Sequence, residues 1–259
     1  MTARPKHFIE ERHAMILKLV KEHGRVTVKE LCERFSVTLA TVRTDLDYLE
    51  GIGKIRRTHG GAIPASRDSD PIPFGTRRMY YGAEKRSIGK TAASLVKDGE
   101  VIFIDGGTTA AEMRRYFSAK SNVTIITPSI EVAHWLTTAT AVSVYLLNGF
   151  LSRDSLSTVG VPSNETMLQM NISKAFCGAA GFTQRDGLTD VTMGFVEQKR
   201  VICQHARMII GLADHSKIGV TSLASFAPFD DIDILVTDKA LPADLAREAE
   251  SHGIEVIVT

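Results

Sequence analysis

Over roughly the first sixty positions, apolar residues recur at helical spacing in three short stretches; beyond position 100 they collect into compact runs separated by amphipathic segments. Ile9, Ile16, Leu17, Leu19 and Val20 mark a first helix. From Val26 to Phe35, Thr27-x-x-Glu30 has capping-box spacing and Leu31 and Phe35 lie four apart on one face, which predicts a short second helix. Ser36-Val37 breaks it. Thr38 then caps a third helix in which Leu39, Val42, Leu46 and Leu49 face inward, while Ala40, Thr41, Thr44, Asp47 and Tyr48 occupy the opposite face. Gly51 and Gly53 end that helix, and Lys54-Ile55-Arg56-Arg57 alternates like a hairpin strand.

The rest of the chain has a different rhythm. Strand-like runs at Val101 to Ile104, Val123 to Thr127, Val142 to Asn148, Lys174 to Gly178, Met208 to Ala213, Ile232 to Thr237 and Ile254 to Val258 alternate with helical stretches. Such alternation predicts a largely parallel sheet with helices on its faces. Between the two patterns, Pro64, Ser66, Asp68, Ser69, Asp70, Pro71 and Pro73 deny a continuous helix or central strand. The expected organisation is therefore a domain over 1–62, a linker over 63–78 and a second domain over 79–259.

Small and polar residues at the start of the third helix would let its backbone approach base edges in the major groove, as a helix-turn-helix does. Thr38, Ala40, Thr41, Arg43, Thr44 and Asp47 are the candidates on the helix, and Lys54, Arg56, Arg57 and His59 are phosphate-contacting candidates on a wing. Charge agrees: residues 1–78 hold 15 Lys and Arg against 10 Asp and Glu, whereas 79–259 hold 16 against 20. A positive surplus at one end suits phosphate attraction by that end. The competing reading is a generic three-helix bundle with scattered charge.

Composition narrows the classes. No apolar stretch approaches the roughly 18 residues of a membrane span, and the charged, polar start is unlike a signal peptide, so cytoplasmic residence is expected. Cys32, Cys177 and Cys203 are far apart and form no C-x-x-C, so they are expected to be buried thiols. Cys203 and His205 have no further ligand pair at metal spacing, and no metal or cofactor is expected. G-x-S-x-G, the P-loop lysine motif, a complete G-x-G-x-x-G and H-E-x-x-H are all missing.

The second domain carries a candidate ligand corner. Val101 to Ile104 runs directly into Asp105-Gly106-Gly107-Thr108-Thr109, and Ala110 opens a helix through Met113, Tyr116 and Phe117. At the carboxyl end of a parallel strand, glycines allow close approach, hydroxyls add donors and a helix start offers free N–H groups to an anion. Asp105 would instead suit a sugar hydroxyl. Other strand ends hold Thr127-Pro128-Ser129, Asn148-Gly149, Cys177-Gly178-Ala179-Ala180-Gly181 and Ala213-Asp214-His215-Ser216-Lys217, which converge on one edge of an open sheet. Lys217 would neutralise a phosphate or pair with an acid. Each also has a plainer reading: Asp214 as a turn residue, Thr127 and Ser129 as helix caps, Lys85 and Arg86 as a solvated helix start.

Arg12 through Ala62 resembles the winged helix-turn-helix of the DeoR family of bacterial sugar-metabolism regulators. The resemblance rests on Val37-Thr38-x-x-Thr41-Val42-Arg43-x-Asp45-Leu46, Leu49 and Gly53-x-Ile55-x-Arg57-x-His59-Gly60-Gly61-Ala62. The family often has Ser where Thr38 stands and a second Arg where Thr44 stands. The first departure keeps a capping hydroxyl; the second removes a cation from the reading face.

Downstream, Lys85-Arg86, the Asp105 corner, Gly187-Leu188-Thr189, Lys199 and Asp214 to Lys217 resemble the family's sensor domain, which is similar in fold to ribose-5-phosphate isomerase. The fold class expected is thus α+β for the winged helix-turn-helix, followed by an open, largely parallel α/β sensor domain. The resemblance implies effector contacts from Lys85, Arg86, Asp105, Gly107, Thr108, Thr109, Thr127, Ser129, Asp214 and Lys217. Gly106, Asn148, Gly149, Gly178 and Lys199 join them as strand-end or family-pattern positions.

It also implies a non-enzymatic repressor of a sugar-utilisation operon, with operator DNA and a phosphorylated sugar as partners and a homodimer or homotetramer as the assembly. The rival is a sugar-phosphate isomerase-like enzyme with an appended nucleic-acid-binding module, using Glu197, Lys199 and Lys217 for proton abstraction. The Cys177 to Gly181 loop, lacking a carboxylate, argues against it. A helix-turn-helix serving only as a protein-interaction module is a third possibility.

Overall fold

A computed structural model describes residues 9–58, 60–64, 77–78, 80–160 and 170–259. His59, residues 65–76 of the expected linker and Met79 lie outside the described residues. The chain separates into two compact units, Met1–Ile72 and Pro73–Thr259.

In the first unit, α1 (Ile9–His23), β1 (Val26–Thr27), α2 (Val28–Phe35), α3 (Leu39–Gly51), β2 (Ile55–Thr58) and β3 (Gly61–Pro64) follow in order. The capping box is complete: Thr27 Oγ1 accepts from Glu30 N at 3.2 Å, and Thr27 N donates to Glu30 Oε2 at 2.8 Å. Ser36, in the left-handed region, makes the turn, and Thr38 Oγ1 accepts from Thr41 N at 3.2 Å to start α3. Ile16, Leu31, Val42, Leu46, Leu49 and Ile55 share one buried cluster. Leu39 is not in it. As the first residue of α3, its side chain tilts back over the preceding turn, away from the core, and it is half exposed.

The wing is an antiparallel sheet in the order β1-β3-β2. Gly61 opens β3: a Cβ there would fall 1.8 Å from the Val26 carbonyl oxygen, so only glycine lets β3 lie against β1.

A charge lies under α3. Asp45, fully buried among the apolar positions, accepts from Arg12 Nε at 2.5 Å and Arg12 Nη2 at 2.9 Å, and His13 Nε2 lies 2.9 Å from the same carboxylate. The His13 ring stacks on Tyr48 with centroids 4.4 Å apart. Two residues of α1 therefore clamp one carboxylate of α3.

The second unit contains α4 (Gly82–Ser94), β4 (Val101–Ile104), a 3-10 helix (Ala110–Tyr116), β5 (Thr124–Thr127), α5 (Ile130–Ala139), β6 (Ser143–Leu146), β7 (Phe150–Ser152), β8 (Ser157–Val159) and β9 (Lys174–Gly178). It continues through β10 (Gly181–Thr183), β11 (Gly187–Asp190), α6 (Met193–His205), β12 (Ile209–Leu212), β13 (Ala224–Ala227), β14 (Ile234–Thr237), α7 (Ala243–Ser251) and β15 (Glu255–Val258). Seven strands form one sheet in the order β15-β14-β12-β9-β4-β5-β6, every neighbouring pair parallel. All seven runs read from the sequence are these strands.

Ile102 and Ile104 pack into one apolar layer while Phe103 packs into the other, which is why β4 reads as an unbroken apolar run: its sheet is covered on both faces. The helix after β4 is 3-10 rather than α. Gly89 of α4 sits so close to it that a Cβ would lie 2.8 Å from Glu112 Cβ. Two further small sheets, β10-β11-β13 and the hairpin β7-β8, are built from strands of three or four residues whose Gly, Ser, Thr and Asp content hid them from a reading by apolar run.

From β4 the chain steps through β5 to β6 on one side, then returns to place β9, β12, β14 and β15 on the other. The reversal falls between β4 and β9, and a crevice at the carboxyl ends of strands opens at such a point.

Asp45→Ala should lower the stability of the N-terminal unit by about 3 kcal/mol, since it strips the carboxylate facing a buried arginine. Burial would raise the pKa of Asp45, but hydrogen bonds from His13 and Arg12 outweigh it and hold the value below the ordinary one. That stabilisation is complete above the ordinary carboxylate range and is lost as pH falls through the lowered value. Urea melts across this range should show wild type and variant converging in acid; parallel curves would contradict the assignment.

Candidate functional site

On the first unit, Thr38, Ala40, Arg43, Thr44 and Asp47 are exposed along α3, and Thr41 is half-buried. Their hydroxyls are engaged locally: Thr44 Oγ1 donates to the Ala40 carbonyl at 3.0 Å, and Thr38 Oγ1 lies 2.9 Å from Thr41 Oγ1. Arg57 is a brace between wing and helix. Its N–H donates to Glu50 Oε1 at 2.6 Å, and its Nη1 bonds Asp47 Oδ1 and the Arg43 carbonyl. Asp47 and Arg57 thus meet each other, leaving Arg43, Lys54 and Arg56 as exposed cations with no ion pair among the described residues.

The second unit gathers its candidates at the switch point. Asp105 ends β4 with Oδ1 accepting from Gly106 N at 2.8 Å and Oδ2 accepting from Gly178 N, at the end of β9, at 3.1 Å. Lys199 of α6 completes the arrangement. Its Nζ lies 2.8 Å from Asp105 Oδ2 and 2.6 Å from Asp190 Oδ2, donates to the Gly178 carbonyl at 2.8 Å, and sits 4.7 Å over the Phe226 ring. Burial opposes its charge, but Asp105 and Asp190 outweigh burial and raise its pKa above the ordinary lysine value. Both oxygens of Asp105 are therefore engaged within the protein.

Close contacts favour glycine at this corner. A Cβ on Gly106 would lie 2.3 Å from Ser157 Oγ of β8, and one on Gly178 would lie 3.1 Å from Asp105 Oδ2. Thr108 and Thr109 are buried, and their hydroxyls make no hydrogen bond among the described residues. The N–H groups of Gly107, Thr108 and Thr109 precede the first bond of the turn, from Ala111 N to the Gly107 carbonyl at 2.9 Å.

Beyond β9, the end of β12 adds a cationic cluster. Asp214 is fully buried: Oδ1 accepts from Ser216 N at 3.0 Å, and Oδ2 has no hydrogen-bond partner among the described residues. Lys85, from the first turn of α4, is buried with Nζ donating to the Arg77 carbonyl at 2.6 Å. Burial pushes its pKa down to about 8; Asp214 opposes the shift, and Lys217 and Arg77 add to it. Lys217 is likewise lowered by burial, with Asp214 opposing. Arg86, the neighbour of Lys85, is exposed.

The remaining candidates are placed apart from these cations. Ser129 Oγ accepts from Val132 N at 3.2 Å and caps α5, and Thr127 Oγ1 accepts from Ser129 N at 3.1 Å, holding the cap residue in place. Asn148 and Gly149 are exposed. Glu197 is exposed while Lys199, two residues on, is buried, so the two do not assemble as a proton-transfer pair. Cys177 and Cys203 are buried free thiols with sulfurs 3.9 Å apart; Cys32 is only half-buried.

Sequence reasoning missed two residues here, Asp190 and Asp238. Asp190 stands one position after the Gly187-Leu188-Thr189 motif and faces Lys199. His215 and Asp238 form the second pair, with His215 N and Nδ1 each 2.6 Å from an Asp238 oxygen and Tyr81 edge-on to the imidazole at 4.7 Å. His215 was visible as the residue between Asp214 and Ser216; its partner Asp238, just past the end of β14, was not.

Residues 82–239 match the profile of the DeoR C terminal sensor domain, and residues 12–68 match that of the DeoR-like helix-turn-helix domain. The chain is 33% identical over 250 residues to the HTH-type transcriptional repressor GlcR of Bacillus subtilis, with 96% of each chain covered. It is 29% identical over 247 residues to the glycerol-3-phosphate regulon repressor of Escherichia coli, covering 95% of this chain and 97% of that one. Among solved structures, ribose 5-phosphate isomerase A from Methanocaldococcus jannaschii overlaps 52% of this chain and 53% of its own, at a TM-score of 0.38 and 22% identity. No helix among the described residues is long and apolar enough to cross a membrane.

Lys199→Met should destabilise the second unit by about 3 to 5 kcal/mol, because it leaves two buried carboxylates facing each other. Thermal unfolding checks this, and an unchanged midpoint would refute the role of Lys199 as the ionic tie of the switch point.

Proposed function

Because this chain belongs to the DeoR family of helix-turn-helix transcriptional regulators, we propose that it represses a sugar-utilisation operon and releases or retains its operator according to a bound phosphorylated sugar. The observation that carries the effector reading is the cationic cluster at the sheet edge: burial lowers the pKa of Lys85 and Lys217, with Arg77 adding to the shift, and Asp214, with Glu112 beside Lys85 and Asp190 beside Lys217, only partly offsets it. A phosphate dianion relieves that imbalance, and the hydroxyls and free N–H groups of Gly107, Thr108 and Thr109 add uncharged donors. The unpartnered Asp214 Oδ2 calls for a donor, which a sugar hydroxyl supplies.

On the DNA side, Arg43 reaches a base edge or phosphate, and Lys54, Arg56 and His59 hold the backbone from the wing. Arg57 and Asp47 fix the angle between wing and helix. One winged module covers little DNA, so two copies on adjacent half-sites give useful specificity, and a homodimer or homotetramer is the working form. The sugar acts by favouring one DNA-binding arrangement over another, without being transformed. Support for the binding-only role comes from the relatives, named as regulators, and from Glu197 standing apart from Lys199.

Arg43→Ala should weaken binding to the tightest of a panel of genomic fragments by about 10-fold or more while leaving sugar-phosphate binding intact. Unchanged anisotropy titrations would reject the contact. Thr108→Val should lower effector affinity with little change in DNA binding without effector; calorimetric titration with an unaltered dissociation constant would reject that donor.

Effector affinity should also depend on pH with a definite sign. A phosphate monoester is fully dianionic only above its second pKa of about 6. A bound anion favours the charged form of Lys85, so affinity falls as pH rises through about 8. Lys85→Met should bind more weakly and lose that alkaline fall, and a wild-type profile flat from pH 7 to pH 9 would contradict the reading.

A further inference from the structure

Leu39 opens α3, and although its spacing with Val42, Leu46 and Leu49 would assign it to the core, it is 50% exposed. Among the described residues of the first unit, Ile9 at the start of α1 is the other large apolar side chain left in water. Leu39 stands one turn before Arg43, so the two share a face of α3. Both line a cleft between α2, α3 and the wing, whose apolar wall is Val28, Cys32 and Val37. Those three residues are outer members of the core, packed against it and half-buried. A solitary exposed leucine is ordinary on a protein surface; this one continues an apolar wall on the face of a candidate reading helix.

Charge around the cleft has one sign. Lys29 of α2 and Arg43 line it, are exposed and have no ion pair among the described residues; Arg57, the third cation there, is held by Asp47. Among the described residues no carboxylate lines the cleft. The polar candidates on the first two turns of α3 are engaged with one another or with backbone, since Thr44 Oγ1 donates to the Ala40 carbonyl and the hydroxyls of Thr38 and Thr41 meet. Leu39 and Arg43 are the longest side chains on those turns. An apolar spot beside unpaired cations matches one chemical surface in particular. In the major groove of duplex DNA, phosphates flank the base edges and thymine alone offers an apolar group, its C5-methyl.

We infer that Leu39 is a specificity-determining residue of α3, packing on the C5-methyl of a thymine while the cations beside it hold the DNA backbone. The inference rests on the operator reading above and adds to it the base that one side chain selects. Cytosine carries no methyl at that position and the purines present polar atoms there, so each leaves the leucine facing water or an unpaired polar group. Taking one methyl group out of water corresponds to about fourfold in affinity. Leu39 makes no phosphate contact in this arrangement, so its removal changes which base is preferred and leaves the ionic part of binding as it was.

The test uses the full chain and the duplex it selects from a random pool, with each thymine replaced in turn by uracil, which removes only the C5-methyl. For the wild type, uracil at one or more positions should weaken binding about 3- to 5-fold in anisotropy titrations. At such a position Leu39→Ala should bind the thymine and uracil duplexes within about 1.5-fold of each other, the loss of coupling that a double-mutant cycle reads. The variant should keep the wild-type slope of affinity against salt and the wild-type far-ultraviolet circular dichroism spectrum. If Leu39→Ala fails to fold, Leu39→Gln, which preserves the length of the side chain, makes the same comparison. A wild type indifferent to every thymine-to-uracil change, or a variant as sensitive to the methyl as the wild type, overturns the inference and leaves the operator reading standing. A chain that selects no duplex overturns both.

Discussion

A single buried ammonium ties together the part of the molecule on which its sensing reading depends. Lys199 bonds the end of β4 through Asp105, the end of β9 through the Gly178 carbonyl and the small antiparallel sheet through Asp190. These are the two strands between which the sheet reverses its order, so one side chain holds the crevice at its hinge. An ion so deeply buried is tolerated only because two carboxylates and a carbonyl replace its water. The rigidity matters for function. The glycine-threonine corner beside it must keep its N–H groups and hydroxyls in fixed positions for an anion to be recognised rather than merely attracted.

The first unit uses the same device on a smaller scale. Asp45, clamped by Arg12 and His13, fixes the rotation of α3 about its axis, while the Arg57 contacts with Asp47 and Glu50 fix the wing against that helix. Apolar packing alone would let a thirteen-residue helix roll; directional charge pairing specifies which face looks outward. Each unit thus places a buried ionic tie immediately behind its candidate recognition surface, and exposed or underpaired cations in front of it. On the sensor side that surface is continuous with a further element, since Ser157 of β8 abuts Gly106.

What could be read in the sequence followed from local periodicity. Seven apolar runs became the seven parallel strands, and Thr27-x-x-Glu30 became a complete capping box, because each signal lies within a few residues of its consequence. Leu39 misled because position at a helix start overrode spacing. Asp45 gave no warning of burial because its partners stand more than thirty residues away. The strand-end candidates showed the same limit. Asp105, Gly178 and Lys199 were each singled out, but their convergence needed the fold; Asp190 and Asp238 carry no motif of their own, only a partner across space.

The central claim is that one end of this chain holds DNA and the other holds a phosphorylated sugar without transforming it, with a coupling between them. The most direct measurement adds sugar phosphates, and their unphosphorylated counterparts, to the full chain bound to labelled genomic DNA and follows fluorescence anisotropy. The account predicts that one phosphorylated sugar changes DNA affinity by a factor on the order of 5 to 150 and is recovered intact, while its unphosphorylated form has no effect. A protein that ignored every DNA fragment yet converted a sugar phosphate to its isomer would contradict it.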